Sequence, residues 1–269
     1  MSKISVDTLS GVPVTLLMPL RGRYLETKRP DAIFHDAKSV EIIDAIDHDF
    51  DGAELPWEGH MTFTARTQIL DRQTSRFIEE HPDAIVVNLG SGLDTRFTRL
   101  DNGKVEWFEL DLPECIELRR NFFSENERYH FVPKSVLDFS WVGNIPKDRP
   151  TLFIAEGLFQ YFAEEDVRSI LRTIQENFAG SEVIFEAFSP LIQRAWHKHS
   201  HLQRSFSLFK WMIHSGRKME KWWPGIEFVD EYHYVAQCPQ RWKWMRMFNY
   251  VPPLRQILKM VHLRLNAAA

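Results

Sequence analysis

Alternating apolar and polar segments from Asp83 onward define the most regular part of this chain. Short runs rich in β-branched and aromatic residues are typical of buried strands, and stretches with helical spacing separate them. Strands that alternate with helices predict an α/β fold with a doubly wound, mostly parallel sheet. The predicted strands are "AIVVNLG", "KVEWFELDL", "YHFVPKSVLD", "TLFIAEGLFQYF", "EVIFEAF", "IEFVDEYHYV" and "VHLRL", with the last as an antiparallel edge strand.

Three segments have the pattern of helices. "AEEDVRSILRTIQENF" opens with acidic residues in its first turn, which the helix dipole favours, and "DAKSVEIIDAI" and "TARTQILDRQTSRFIEEH" precede the sheet. We therefore predict one domain in three parts. Residues 1–82 form an N-terminal helical region, 83–189 a cofactor-binding core, and 190–269 a helical C-terminal cover over the substrate together with the final strands.

Composition narrows the class of protein. The 269 residues are 44% hydrophobic and 26% charged, which is typical of a globular protein with a full core. The two cysteines, Cys115 and Cys238, lack a metal-ligand or redox spacing and favour a reducing compartment. No signal pattern and no apolar run of roughly 18 residues occurs, so we expect a cytoplasmic protein without a membrane contact.

Charge is distributed unevenly along the chain. The net charge of -4 disfavours nucleic acid as a partner, yet residues 190–269 contain 13 Lys and Arg against 4 Asp and Glu, a local +9. The same segment holds six of the nine tryptophans. This composition fits a cover over a flat or negatively charged substrate, and it equally fits an amphipathic helical layer with solvated lysines.

A glycine turn, "GSGLD", follows the first strand of the sheet. In a parallel sheet ligands bind beyond the carboxyl ends of the strands, and Gly90, Ser91 and Gly92 would bring backbone close to a ligand there. A dinucleotide turn would require a third glycine at Thr95. Asp94 would also repel a pyrophosphate. A nucleoside ligand with cationic groups, such as S-adenosylmethionine, fits better.

An acidic residue in the second strand supports this interpretation. Asp111, followed by Leu112, lies 19 residues after Gly92, about where a carboxylate accepts the ribose hydroxyls in nucleoside-binding sheets. Asp94 and Asp111 would alternatively cap the helices that follow them. A nicotinamide-dependent oxidoreductase and a non-catalytic cofactor-binding module also remain open.

Six motifs in a fixed order carry a family resemblance over nearly the whole chain. The sequence resembles the leucine carboxyl methyltransferase family, and within it the bacterial polyketide-type O-methyltransferases. The resemblance implies a class I methyltransferase fold with a seven-stranded sheet and S-adenosylmethionine as cofactor. From the basic, tryptophan-rich C-terminal segment we expect a small acidic or polyphenolic acceptor. The motifs are "TLLMPLRGRYLETKRPDAIFHD", "TARTQILD", "VVNLGSGLDTRF", "FELDLPE", "SVLDFSW" and "FIAEGLFQYF".

The resemblance also implies a set of cofactor-binding residues. Arg66 and Lys28 would hold the methionine carboxylate, since a guanidinium clamps a carboxylate bidentately and an ammonium adds a point charge. Glu156 would hold the cofactor's ammonium group and Asp111 its ribose. Ser135 and Val136 would lie at the adenine, with Asp138 either contacting it or capping the turn.

No catalytic residue is assigned from the sequence. A carboxylate acceptor, with a pKa of about 4, needs no general base at neutral pH, whereas a phenol near 10 would usually need one. Trp222 and Trp223 either stack on an aromatic acceptor or belong to the core. We expect no metal site, because the histidines of "HKHSH" lack an evident third ligand. The candidate bases are His197, His199, His201, His214, Tyr161 and Tyr232.

Overall fold

A mixed seven-stranded sheet forms the centre of the structure. The structure is a computed structural model, and it describes residues 4–5, 14–48, 55–192 and 208–267. Two short strands pair with each other outside the sheet. In chain order the strands of these residues are β1 Ile4–Ser5, β2 Ile46–Asp47, β3 Ile85–Leu89, β4 Glu106–Asp111, β5 Tyr129–Pro133, β6 Thr151–Ala155, β7 Ser181–Phe188, β8 Ile226–His233 and β9 Leu258–Leu265.

The strand order, β5-β4-β3-β6-β7-β9-β8, places β3 at the switch point of the sheet. From β3 the chain builds outward through β4 and β5 on one side and through β6 and β7 on the other, and these five strands are parallel. Their carboxyl ends therefore meet at one edge, where ligands bind in sheets of this kind. The prediction of a doubly wound, mostly parallel sheet is confirmed.

The last strand differs from its prediction in one respect. β9 is antiparallel, as expected, but it lies between β7 and β8 and hydrogen-bonds to both. The prediction of an edge position was wrong, because nearly every side chain of β9 is buried, including Lys259 and His262. β8 forms the edge instead, and its exposed Glu227 and Asp230 suit a strand that must not pair further.

Helices cover both faces of the sheet and bury its alternating side chains. Val86 of β3 packs in one core with helices from the N-terminal half, whereas Ile85 and Val87 pack in the other with the helix that follows β6. The α-helices are α1 Val14–Thr27, α2 Ala37–Ala45, α3 Trp57–Glu80, α4 Arg96–Leu100, α5 Pro113–Arg119, α6 Glu164–Asn177 and α7 Pro252–Arg255.

The N-terminal helices contain the main difference in helix prediction. α2 and α6 match their predicted segments, and α3 begins seven residues earlier than "TARTQILD" indicates. α1 was not predicted, because Pro19 lies inside it and proline normally ends a helix. Leu20 of α1 and Ile69 of α3 are fully buried in the same core, so tertiary packing stabilises α1 despite its proline.

The described part of the C-terminal cover consists mainly of 3-10 helices. Its backbone turns at Lys243, where φ is 49°, and prolines interrupt longer helical runs. Trp211 packs against one face of the sheet and Trp242 against the other. The cover therefore wraps around the edge of the sheet at β8, next to β9. The 3-10 helices of the chain span Phe139–Asn144, Phe159–Tyr161, Gly216–Lys221, Tyr234–Ala236 and Pro239–Tyr250.

Candidate functional site

The glycine turn after β3 is held by the end of the neighbouring strand. Gly90 and Gly92 have φ angles of 65° and 48°, which favour glycine. The amides of Gly90 and Ser91 both donate to the carbonyl of Leu110, at 2.8 and 3.2 Å. Asp111 then accepts the amide of Gly92 through Oδ2 at 2.7 Å. The acidic residue at the end of β4 is therefore bound directly to the turn.

A buried ion pair between Arg119 and Glu109 supports the turn, and it was not predicted from the sequence. Arg119 donates to the carbonyls of Gly92 and Asp94, at 2.8 and 2.7 Å, and to Glu109 at 2.6 Å. Burial, which outweighs the attraction of Arg119, raises the pKa of Glu109 to about 7. Strand β4 and helix α5 contribute these two residues, and no local spacing in the sequence marks their contact.

The carboxylate of Asp94 is hydrogen-bonded and ion-paired to other groups of the protein. Its carboxylate accepts the amide of Arg96 at 3.0 Å, ion-pairs with the guanidinium of the same residue, and accepts Asn88 Nδ2 at 2.9 Å. Burial opposes ionisation of Asp94, but the surrounding arginines outweigh it and lower its pKa. The helix-capping alternative thus describes Asp94 well, since it binds the first amide of α4.

Arg66 and Glu156 form the centre of a charged network beside the turn. Arg66 Nη2 lies 2.8 Å from Glu156 Oε1, and Arg96 Nη2 lies 2.7 Å from Glu156 Oε2. Arg66 does not lie on a solvent-exposed face of its helix, because only 5% of the residue is exposed. Burial disfavours the ionised form of Glu156, yet Arg66 and Arg96 together lower its pKa. Arg96 was absent from the sequence-based set of site residues.

A second carboxylate contacts Arg66 from the next strand. Glu186 of β7 accepts Arg66 Nη1 at 2.9 Å through Oε2, and its Oε1 accepts the hydroxyl of Tyr234 at 2.6 Å. Glu186 is 2% exposed and Tyr234 is fully buried. Neither residue was singled out from the sequence, because a glutamate within an apolar strand and a tyrosine 48 residues later show no common pattern.

Four buried polar atoms near these groups have no hydrogen-bond partner among the described residues. They are Arg66 Nε, Arg119 Nε, Ser91 Oγ and Gln160 Oε1. Buried polar groups are normally paired, so unpaired ones beside a glycine turn point to a ligand that pairs them. Two donors and two possible acceptors suit a ligand with both acidic and donor groups.

Two leucine side chains lie against the glycine turn. A Cβ placed on Gly90 would lie 2.7 Å from Leu158 Cδ1, and one placed on Gly92 would lie 2.6 Å from Leu16 Cδ2. The turn is therefore covered by α1 and by the segment after β6. A ligand that contacts these glycines must displace or share the contacts with Leu16 and Leu158.

The remaining predicted residues are spread over the edge of the sheet. Leu112 is 39% exposed beside Asp111. Ser135 is half-buried and Val136 is buried, in the loop after β5. Asp138 is exposed and accepts the amide of Ser140 at 3.1 Å, so it caps the following 3-10 helix.

Lys28 lies apart from the charged network. It follows α1, is exposed, and places Nζ 5.5 Å from the centre of the Tyr24 ring. No contact between Lys28 and Arg66 occurs within the part of the chain that the structure describes. The structure thus brings Arg66, Glu156 and the glycine turn together, and leaves Lys28 outside this group.

An aromatic cluster lies at the carboxyl ends of β6 and β7. The rings of Phe188 and Phe209 are 4.7 Å apart, and those of Tyr161 and Phe209 are 5.6 Å apart. The amide of Lys210 donates to the carbonyl of Gln160 at 2.8 Å, which fastens the cover across the strand ends. The cover therefore borders the same edge as the charged network.

The candidate bases do not converge in the described residues. His214 is exposed, and Tyr232 contacts His262 of β9. Trp222 and Trp223 pack on the guanidinium groups of two arginines of α6, which supports their structural interpretation. His197, His199 and His201 lie outside the described residues. No group of three potential metal ligands, and no helix able to cross a membrane, occurs in the ranges that are described.

Comparisons with known proteins identify relatives of this chain. The chain is 35% identical to the tetracenomycin polyketide synthesis O-methyltransferase TcmP of Streptomyces glaucescens, over 92% of this chain and 94% of that protein. It is 28% identical to the S-adenosyl-L-methionine-dependent methyltransferase dpfgK of Gibberella zeae, over 83% and 82% of the two chains.

A solved structure supports the fold. A Thermobifida fusca protein assigned as a methyltransferase superposes with a TM-score of 0.60 at 15% identity, covering 96% of this chain and all of that one. The sequence profile of leucine carboxyl methyltransferases matches residues 17–175. The chain therefore belongs to the leucine carboxyl methyltransferase family and is an S-adenosylmethionine-dependent methyltransferase.

Proposed function

We propose that this enzyme methylates an oxygen atom of a small aromatic or polyketide-like acceptor, on a carboxylate or a phenol. The observation that carries the proposal is the ion pair of Arg66 and Glu156 at the glycine turn, 2.8 Å between its charged atoms. An amino-acid group of a ligand carries a carboxylate and an ammonium group. The cation and the anion of this pair, side by side, provide the opposite charge for each.

The residues present fit S-adenosylmethionine. Arg66 Nε is a buried donor without a partner, suited to the methionine carboxylate, and Glu156 suits the ammonium group. Each carboxylate oxygen of Asp111 accepts one amide and retains a further lone pair for a ribose hydroxyl. The proposed site is completed by Lys28, Gly90, Ser91, Gly92, Asp94, Leu112, Ser135, Val136 and Asp138. Lys28 is included on the family resemblance alone and Asp138 on its place in the loop expected at the adenine. Asp94, whose carboxylate is bound to Arg96 and Asn88, would shape the turn.

The acceptor side is proposed from the cover. Tyr161, Phe188 and Phe209 offer flat apolar surfaces at the strand ends, where a planar ring system can stack. The relative TcmP is named for polyketide synthesis, which agrees with an acceptor of this type. Exposed Lys210, next to this cluster, would attract an acidic acceptor.

The task of the protein in methyl transfer is alignment and exclusion of water. The cofactor supplies an electrophilic methyl group on a sulfonium. Arg66, Glu156 and Asp111 would fix the cofactor at both ends, and the cover would hold the acceptor oxygen in line and keep water out. A carboxylate acceptor needs no general base. A phenol would need one, and a residue of the cover would have to provide it.

A screen of acceptors tests the proposal. The purified enzyme is incubated with methyl-labelled cofactor and a panel of aromatic carboxylic acids and phenols, and labelled products are then treated with mild base. Loss of label identifies a methyl ester, and stable label identifies a methyl ether. Label on nitrogen or carbon, or transfer to none of the panel despite cofactor binding, contradicts the proposal and favours the non-catalytic alternative. Tight binding of NADH without binding of S-adenosylhomocysteine would favour the oxidoreductase.

We also propose a single domain located in the cytoplasm. The last two strands of the sheet come from residues 190–269, which favours one domain with the boundaries predicted above.

The state of the cysteines supports the proposed location in the cytoplasm. Cys115 and Cys238 are both free thiols, which suits a reducing compartment.

A further inference from the structure

We propose that Glu186 and Tyr234 are positioning residues that keep Arg66 at the cofactor site when the cofactor's ammonium group binds Glu156. This inference rests on the proposed function, and it extends the site to one more strand and to the C-terminal region.

Arg66 stands between two carboxylates that are neighbours on adjacent strands. Ala155 of β6 pairs with Phe185 of β7 in parallel register, so Glu156 and Glu186 follow side by side at the ligand edge. Nη2 of Arg66 contacts Glu156 at 2.8 Å and Nη1 contacts Glu186 at 2.9 Å. One guanidinium therefore bridges both acids, with Nε left over.

The two carboxylates differ in their other partners. Glu156 also pairs with Arg96, at 2.7 Å, whereas Arg66 is the one cation paired with Glu186 in the ranges that the structure describes. A ligand ammonium at Glu156 would bring a third cation to that acid, and Coulomb repulsion would favour release of Arg66 from it. Release from Glu186 would instead leave a carboxylate that is 2% exposed without a cation, which is costly. Arg66 therefore stays on Glu186.

Tyr234 fixes the orientation of Glu186. Its hydroxyl donates to Glu186 Oε1 at 2.6 Å, which leaves Oε2 for Arg66. Burial, with the adjacent carboxylate, raises the pKa of Tyr234 well above its usual value, so the phenol remains a donor. Gly157 has no side chain here, and a Cβ at that position would lie 3.4 Å from Arg66 Nη1, so the guanidinium has room to turn. When Arg66 is paired with Glu186 alone, it can turn its unpaired Nε toward the methionine carboxylate.

Two ligands separate this role from a general structural one. S-adenosylhomocysteine carries the ammonium and carboxylate groups, and 5′-methylthioadenosine has the same nucleoside without them. Glu186→Gln should weaken binding of S-adenosylhomocysteine about tenfold or more, and Tyr234→Phe about three- to tenfold, because each loosens a charge-assisted contact. Binding of methylthioadenosine, measured by the same calorimetric titration, should change less than about twofold.

Glu182→Gln is the matched control on the same strand. Glu182 pairs with His262 and Arg264, and its loss should leave the ratio of the two affinities unchanged. Should Glu186→Gln fail to fold, Tyr234→Phe, which removes a single oxygen, carries the test by itself. Suppose that the wild type binds S-adenosylhomocysteine tightly and that the variants keep its ratio of affinities for S-adenosylhomocysteine and methylthioadenosine. That result overturns this inference and leaves the proposed function standing. Absence of binding by the wild type overturns the proposed function as well.

Discussion

The carboxylate of Asp111 accepts the backbone N–H of Gly92, with 2.7 Å between Oδ2 and N. This contact joins the proposed ribose acid to the proposed cofactor turn, so one substitution disturbs both. Asp111→Asn should weaken binding of S-adenosylhomocysteine by ~1–3 kcal/mol, because it removes the charge and one acceptor. Calorimetric titration measures the change.

Asp138→Asn provides the comparison for Asp111. The Asp138 side chain is exposed and caps a 3-10 helix, and the variant should bind S-adenosylhomocysteine like the wild type if capping is its role. A loss equal to that of Asp111→Asn would instead support a contact of Asp138 with the adenine. Wild-type affinity in Asp111→Asn would disprove the placement of the ribose.

Arg66→Ala should reduce both stability and cofactor affinity. The substitution leaves Glu156 and Glu186 without their shared cation, and loss of one partner of a buried pair costs ~3–5 kcal/mol of unfolding free energy. Affinity for S-adenosylhomocysteine should fall by ~1–3 kcal/mol. Urea denaturation and calorimetry give the two values.

Arg76→Ala is the control on the same helix. Arg76 pairs with Glu80 on the exposed face of α3, where water screens the pair, so its loss should leave the free energy of unfolding close to that of the wild type. Equal effects of the two alanine variants on stability would show that the Arg66 network contributes no more than a surface pair.

Gly92→Ala should destabilise the protein through backbone strain and a steric contact. Its φ of 48° disfavours a side chain, and the new Cβ would lie 2.6 Å from Leu16 Cδ2. We expect a loss of ~1–3 kcal/mol in thermal or urea unfolding. Gly103→Ala shares a positive φ, 79°, without any atom near its Cβ, so the excess cost at Gly92 measures the contact.

Leu16 provides the second half of that test. The double variant Gly92→Ala with Leu16→Ala should recover part of the contact cost relative to the two single variants added together. Additive costs would show that α1 does not press on the turn in solution.

Glu26 should contribute to stability in a pH-dependent way. This buried carboxylate accepts Arg241 at 2.7 and 2.9 Å and joins α1 to the C-terminal cover. Burial opposes its ionisation, but the hydrogen bonds of His60 and Arg241 lower its pKa to about 2. The pKa of Glu26 in the folded protein lies below the ordinary glutamate value of 4.5, so this stability is present above pH 4.5 and is lost as the pH falls to about 2.

Glu26→Gln should therefore lower the unfolding free energy at pH 7 by ~3–5 kcal/mol and flatten its decline between pH 4.5 and 2. Unfolding in urea across this pH range tests both effects. Glu41→Gln, which removes an exposed partner of Lys38, should leave the profile unchanged. The same pH slope in wild type and Glu26→Gln would contradict the assignment.

Much of the fold was predictable from local pattern. The strands β3, β4 and β7 and the helix α6 follow their predicted segments, because an apolar run bounded by turn residues has few other structures available. β5 and β6 begin where predicted but end five and seven residues earlier than their predicted segments. α1 and the interior position of β9 were not predictable, since Pro19 normally ends a helix and the position of a final apolar strand depends on which strands it pairs with. Packing against α3 and hydrogen bonding to both β7 and β8 decided these two features.

The order of strands and helices, the glycine turn and the position of Asp111 could be predicted from the sequence, because each shows in a local pattern of residues. The burial and the pairing of the charged side chains depend on how the chain folds. Arg66 and Glu186 are 120 residues apart, and Arg241 and Glu26 are 215 apart. Such contacts form when separate elements pack together, and the stability of a buried charge depends on the partner that packing brings to it.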